Sequence, residues 1–179
     1  MTRPFVRETL MNINKVLIPV DGSDFSLQIL PYVTRFLRPH ETNIVLLYVS
    51  EPPSMVQLGE PDNPDLTIYA DQEAASIEAG FVSSMQMHIR YLTHTGFTVT
   101  TAVRFGDPAT EIEQFIKDEK VDLVAMTTHG RTGLARVLLG SVAQHIINRA
   151  AVPVLLYRSL TQTPQTDGVE PREEKFTPP

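Results

Sequence analysis

The chain has 179 residues, 42% of them hydrophobic, enough for one domain with a full core and no more. Its formal net charge of −6 leaves no basic surplus to displace counterions from a phosphate backbone, which argues against nonspecific nucleic-acid binding. Cysteine is absent, which excludes disulfides, thiolate catalysis and thiolate metal sites and fits a reducing compartment.

Arg3 and Arg7 are followed by no apolar stretch of signal-peptide length. No apolar run approaches the roughly 18 residues of a membrane span. The expectation is a cytoplasmic protein without a membrane partner. Residues 1–13 show no clear period and read as a flexible arm before a domain over residues 14–158.

KVLIPV (residues 15–20) reads as a buried strand that ends in Asp21-Gly22-Ser23-Asp24. Ser23 or Asp24 can cap a helix over residues 25–37, which Pro31 should kink because it lacks an N–H. NIVLLYVS (residues 43–50) is a second strand, and its unbroken aliphatic run fits a sheet covered on both faces. Residues 51–66, rich in Pro, Gly, Asn and Asp, read as a long surface loop. A long amphipathic helix follows over residues 68–94, with Ile77, Phe81, Met85, Ile89 and Leu92 near a 3–4 spacing. Met85 and Met87 read as core filler there.

FTVTTAVRFG (residues 97–106) alternates, as a strand near a sheet edge does. Asp107-Pro108 starts the next helix, which runs to about Glu119. A strand over residues 121–126 leads through TTHGRTGLARVLLGS into a helix over residues 141–150, and PVLLYR (residues 153–158) is the last strand. Residues 159–179 are polar, Pro-rich and too poor in apolar side chains to fold alone, so they read as a disordered tail. With right-handed crossovers this order gives a single-domain α/β fold, a five-stranded, mostly parallel open sheet with helices on both faces. Its ligand crevice should lie beyond the strand carboxyl ends, between Asp21 and Met126-Thr127.

An adenine nucleotide needs a slot for the base, a partner for the ribose or base edge, and an anion cradle. Val20, Val49 and Met126 can line the slot, and Asp21 offers a carboxylate. Gly130, Gly140, Ser141 and the N–H of Val142 can form the cradle, with the helix dipole behind them and Arg131 as a mobile cation. Each residue has a plainer reading. Asp21 can serve its own turn, Gly130 and Gly133 can be simple turn residues, and Ser141 can be only a helix cap. Arg131 and Arg136 can be solvated charges, and His129 an exposed loop residue. The five histidines show no close pair at metal spacing, so no dedicated metal site is expected. The nucleotide reading rests on all these features falling at one crevice.

Over residues 15–158 the chain resembles the universal stress proteins of the adenine-nucleotide-binding kind, with both tails outside the likeness. That family carries Gly-x2-Gly-x9-Gly-Ser/Thr. Here Gly130 is its second glycine, nine residues (Arg131 to Leu139) follow, and Gly140-Ser141 closes it, with Thr127 at the first position. PVDGSDFS, beginning at Pro19, and the LLYV segment resemble the family's base-binding strands. The resemblance implies a Rossmann-like fold of the adenine nucleotide alpha hydrolase type. It implies that Asp21 contacts the ribose or adenine edge and that the Val49 backbone contacts adenine. It places ATP, ADP or AMP phosphates on Gly130, Gly140, Ser141 and Val142, with Mg2+ or Mn2+ bridging them. It also implies a homodimer paired through the last strand, Val154 to Tyr157, which would cover an apolar edge.

Three functions follow: a nucleotide sensor or stress-response regulator, a slow ATPase or phosphotransferase, and an interaction module with a vestigial pocket. Neither a general base beside the cradle nor a Gly-Lys-Ser/Thr lysine is apparent, which weighs against strong catalysis.

Overall fold

The aliphatic runs become strands because a fully covered parallel sheet has room only for apolar side chains on its inner strands. The computed structural model describes residues 13–53, 64–128 and 139–158. The strands are β1 (Lys15–Val20), β2 (Asn43–Ser50), β3 (Thr98–Phe105), β4 (Leu123–Thr127) and β5 (Val154–Tyr157). They form one sheet in the order β3-β2-β1-β4-β5, and every pairing is parallel. The chain thus walks outward from β1 to β3, then returns to the other side of β1 for β4 and β5.

The side chains of β1 alternate between two layers. Val16, Ile18 and Val20 enter one cluster with Leu27, Leu30, Val33, Phe81, Met85 and Leu92. Leu17 enters the other with Val45, Leu47, Ile112, Phe115, Ile116, Ala143 and Ile146. Helices α1 (Asp24–Leu27), α2 (Leu30–Phe36) and α3 (Pro64–His94) therefore cover one face, and α4 (Pro108–Asp118) and α5 (Ser141–Arg149) the other. Burying each of these Leu, Ile or Phe side chains stabilises the fold by roughly 1.5–3 kcal/mol.

Three expectations change in detail. The helix over residues 25–37 is not kinked but divided, because Pro31 cannot donate to the preceding turn and instead sits in the first turn of α2. The helix α3 begins at Pro64, ahead of the expected residue 68, so the end of the expected loop is helical. Met87 is not core filler: it is 76% exposed, two positions past Met85 and so on another side of the helix. The edge position of β3 and the start of α4 agree with the sequence. Asp107 caps α4, its Oδ1 accepting from the Thr110 N–H at 3.0 Å and Oγ1 at 2.7 Å. The expected arm up to residue 12, residues 54–63 of the expected loop and the expected tail lie outside the described residues.

Candidate functional site

β1 and β4 are neighbours, yet the chain leaves β1 into α1 on one face and β4 into α5 on the other. Between two connections that diverge to opposite faces a crevice must open beyond the strand ends. A cavity of about 340 Å³ lies there. It brings together Pro19, Val20 and Asp21 from β1 and its exit, Val49 from β2, Met126 and Thr127 from β4, and Gly140, Ser141 and Val142 at the start of α5. Gly130, Arg131 and Gly133, with His129 and Arg136, lie outside the described residues.

On the β1 side, Asp21 Oδ1 accepts from the Ser23 N–H at 3.0 Å and from Ser23 Oγ at 2.6 Å. Ser23 Oγ in turn caps α1 by accepting from the Ser26 N–H at 3.4 Å. The buried Ser26 Oγ donates to the Ser23 carbonyl at 2.8 Å and accepts from the Asp21 N–H at 3.4 Å. Gly22 between them has φ +79°, a left-handed conformation that glycine adopts without strain. Asp21 therefore organises its own turn and also borders the cavity.

On the β4 side, the Gly140 N–H donates to the Thr128 carbonyl at 2.8 Å, and Thr128 N–H donates to the Tyr157 carbonyl at 3.0 Å. The Gly140 amide is thus engaged within the protein, while the residue still borders the cavity. Gly140, not Ser141, occupies the cap position of α5, and no side chain caps the helix. The value of glycine there is close approach, because a Cβ would stand 3.2 Å from the Thr128 oxygen. The amides of Ser141, Val142 and Ala143 follow in the first turn, where a helix has no carbonyl of its own to offer them. The dipole of α5 adds roughly half a positive charge at that point.

Ser26, Leu47, Tyr48, Pro108, Ile112, Thr128 and Ala143 also line the cavity and were not legible as site residues. Pro108 and Ile112 are four apart on α4 and form an apolar wall, but only the packing of α4 beside α5 brings them there. That packing is tied by Glu113, whose Oε2 meets His145 Nε2 at 2.8 Å and whose Oε1 accepts from Lys117 Nζ at 2.8 Å. These partners, Lys117 first and His145 next, hold the Glu113 carboxyl down at about 2. For Ser26 a signal existed: it stands three residues after the cap Ser23, where a cap's first-turn partner falls.

A carboxylate on one lip, a helix start on the other and apolar walls between border a cavity at the switch point of a doubly wound α/β domain. Residues 12–158 match the universal stress protein family, and the chain belongs to that family. It is 32% identical over 144 residues to the universal stress protein MJ0531 of Methanocaldococcus jannaschii, covering 80% of this chain and 81% of that one. The solved structure of MJ0577 superposes with a TM-score of 0.68 at 26% identity, covering 83% of this chain and 97% of that one. A universal stress protein family member from Arabidopsis thaliana with AMP bound shares the fold, with a TM-score of 0.57 at 17% identity over 86% of this chain and 97% of that one. Among the described residues no helix is long and apolar enough to cross a membrane.

Proposed function

We propose that this chain binds an adenine nucleotide in the crevice between β1 and β4 and acts as a nucleotide-responsive regulator in a stress response. The observation that carries this reading is the pairing of opposed lips: a pre-oriented carboxylate at Asp21 faces the first turn of α5 across an apolar slot. The flat base suits the walls made by Val20, Val49, Met126 and Ile112. The phosphates suit the amides of Ser141, Val142 and Ala143, which favour anions by both hydrogen bonding and dipole. The bound AMP of the Arabidopsis relative is of the same ligand class.

A divalent ion such as Mg2+ or Mn2+ fits only as a companion of the phosphates, since among the described residues no three His, Asp or Glu side chains cluster to hold one. Its chemistry would be to neutralise phosphate charge. The reading includes a homodimer joined through the edge strand Val154–Tyr157.

Titration calorimetry of the whole chain with AMP, ATP and inorganic triphosphate tests the proposal. Saturable binding of AMP and ATP, with ATP tightened by Mg2+, is the expected result. No heat and no thermal shift with either nucleotide at millimolar concentration would overturn it.

A further inference from the structure

We infer that Tyr32 and Tyr157 form an oxidative modification site, where one-electron oxidants join the two phenol rings into a dityrosine that clips α2 to β5. Neither residue lines the crevice between β1 and β4, so the site does not depend on what that crevice binds.

The composition directs single-electron loss to tyrosine. Tryptophan, tyrosine and cysteine give up one electron more readily than other side chains, and this chain has five tyrosines, no tryptophan and no cysteine. Methionine instead takes up an oxygen atom, so the exposed Met87 competes for peroxide rather than for radicals. Of the five tyrosines, Tyr48 stacks on Phe81, and Tyr69 and Tyr91 are exposed on α3. Among the described residues only Tyr32 and Tyr157 bring two phenols into ring contact.

Their contact is shaped for coupling. The ring centroids are 4.2 Å apart at an interplanar angle of 27°, and the Tyr157 hydroxyl donates to Tyr32 Oη at 3.1 Å. The oxygens are closer together than the ring centres, so the rings converge toward their hydroxyl ends. The carbons ortho to each oxygen sit there, and they carry much of the unpaired spin of a phenoxyl radical. Two phenols bonded at those carbons keep their centres at nearly the present separation, so coupling tilts the rings and leaves both backbones in place. Partners held this close react as if within one molecule, ahead of encounters between copies.

The surroundings allow the reaction. Tyr32 is 38% exposed, which admits a small oxidant. The hydrogen bond to Tyr32, and then burial, hold the Tyr157 phenol above its ordinary value of 10.0, so at neutral pH it keeps the proton that this bond needs. The Tyr157 ring lies with Leu155 in the layer that α2 helps to form. A strand's edge hydrogen bonds run in the plane of the sheet, so pairing of β5 with another copy leaves the ring contact intact. The two residues are 125 positions apart in sequence, so a covalent bond between them would also close a long loop and restrict the unfolded chain.

The step balances with peroxyl radicals as the oxidant. Each phenol gives up one electron and its hydroxyl proton, and these convert two peroxyl radicals into two hydroperoxides. The two phenoxyl radicals then form one carbon–carbon bond. The hydrogens on the joined carbons move as protons to the two oxygens, which restores both phenols.

The test exposes the full chain, at low micromolar concentration, to peroxyl radicals from a water-soluble azo initiator, followed by trypsin and mass spectrometry. The expected product joins the peptide of residues 16–35 to that of residues 150–158, lighter than their sum by two hydrogens, in a chain that still runs as a single copy on a denaturing gel. Tyr32→Phe and Tyr157→Phe, each confirmed as folded by circular dichroism, should lower its yield at least about tenfold, while Tyr69→Phe and Tyr91→Phe stay within about twofold of wild type. If wild type gives no such product while other tyrosines are oxidised, the site is overturned. Cross-links that lie chiefly between copies, or fall equally on Tyr69 and Tyr91, overturn it as well.

Discussion

The two lips of the crevice are built in different ways. On the β1 lip the described hydrogen bonds are local: Asp21, Ser23 and Ser26 bond to one another within a few residues of chain. The β4 lip is assembled from distant parts. Thr128 bonds forward to Gly140 and across the sheet to Tyr157, and the position of α5 depends on Glu113 of another helix. The turn orients the Asp21 carboxylate through neighbouring residues, whereas the β4 lip is only as well placed as the packing behind it.

The largest test of this contrast is Gly140→Val. The valine Cβ would begin 3.2 Å from the Thr128 oxygen, and its two methyl groups would enter the space over the first turn of α5. A loss of AMP affinity of about 100-fold, roughly 2.7 kcal/mol, is expected with the fold retained. Calorimetry with a parallel thermal melt checks it, and unchanged affinity would remove the β4 lip from the site.

Next comes Asp21→Ala, with about a tenfold loss for AMP, roughly 1.4 kcal/mol, and almost none for inorganic triphosphate. Equal losses for the two ligands would show that Asp21 serves only its turn. Ser26→Ala should cost about 1 kcal/mol of stability, since a buried hydroxyl that both donates and accepts is removed. A weaker AMP affinity of a few-fold should accompany it, because the Asp21 turn loosens; chemical denaturation and calorimetry on one sample separate the two effects.

The tie behind the β4 lip is tested by pH. The folded Glu113 carboxyl is held at about 2, below its ordinary value of 4.5, by Lys117 and His145. A depressed carboxylate stabilises the fold above pH 4.5, and that contribution fades as the pH falls toward 2. Glu113→Gln should flatten the stability curve across this window, and an unaltered acid limb in urea melts would count against the tie. The smallest effect is expected from Thr127→Gly. Removing the 7% exposed side chain from the cavity rim should tighten AMP binding about two- to threefold, while a glycine in the strand costs roughly 0.5–1 kcal/mol of stability.

What was legible in the sequence follows the same division. Asp21-Gly22-Ser23 announces a turn because its chemistry is contained in neighbouring residues, and Asp107-Pro108 announces a helix start for the same reason. The apolar runs of β1, β2 and β4 announce a covered sheet, since no other setting accommodates them. Ser141 was misread as a cap because glycine at 140 reaches that position first, and Pro31 was misread as a kink because α1 ends before it.

By itself, the order of residues determined the elements, the parallel sheet and the turn at Asp21, because propensity, periodicity and side-chain-to-backbone hydrogen bonds act over a few positions. Only tertiary structure decided that Pro108 and Ile112 wall the cavity and that the Gly140 amide is spent on Thr128. Those outcomes depend on which helix crosses which face, and the forces that choose it are summed over the whole core.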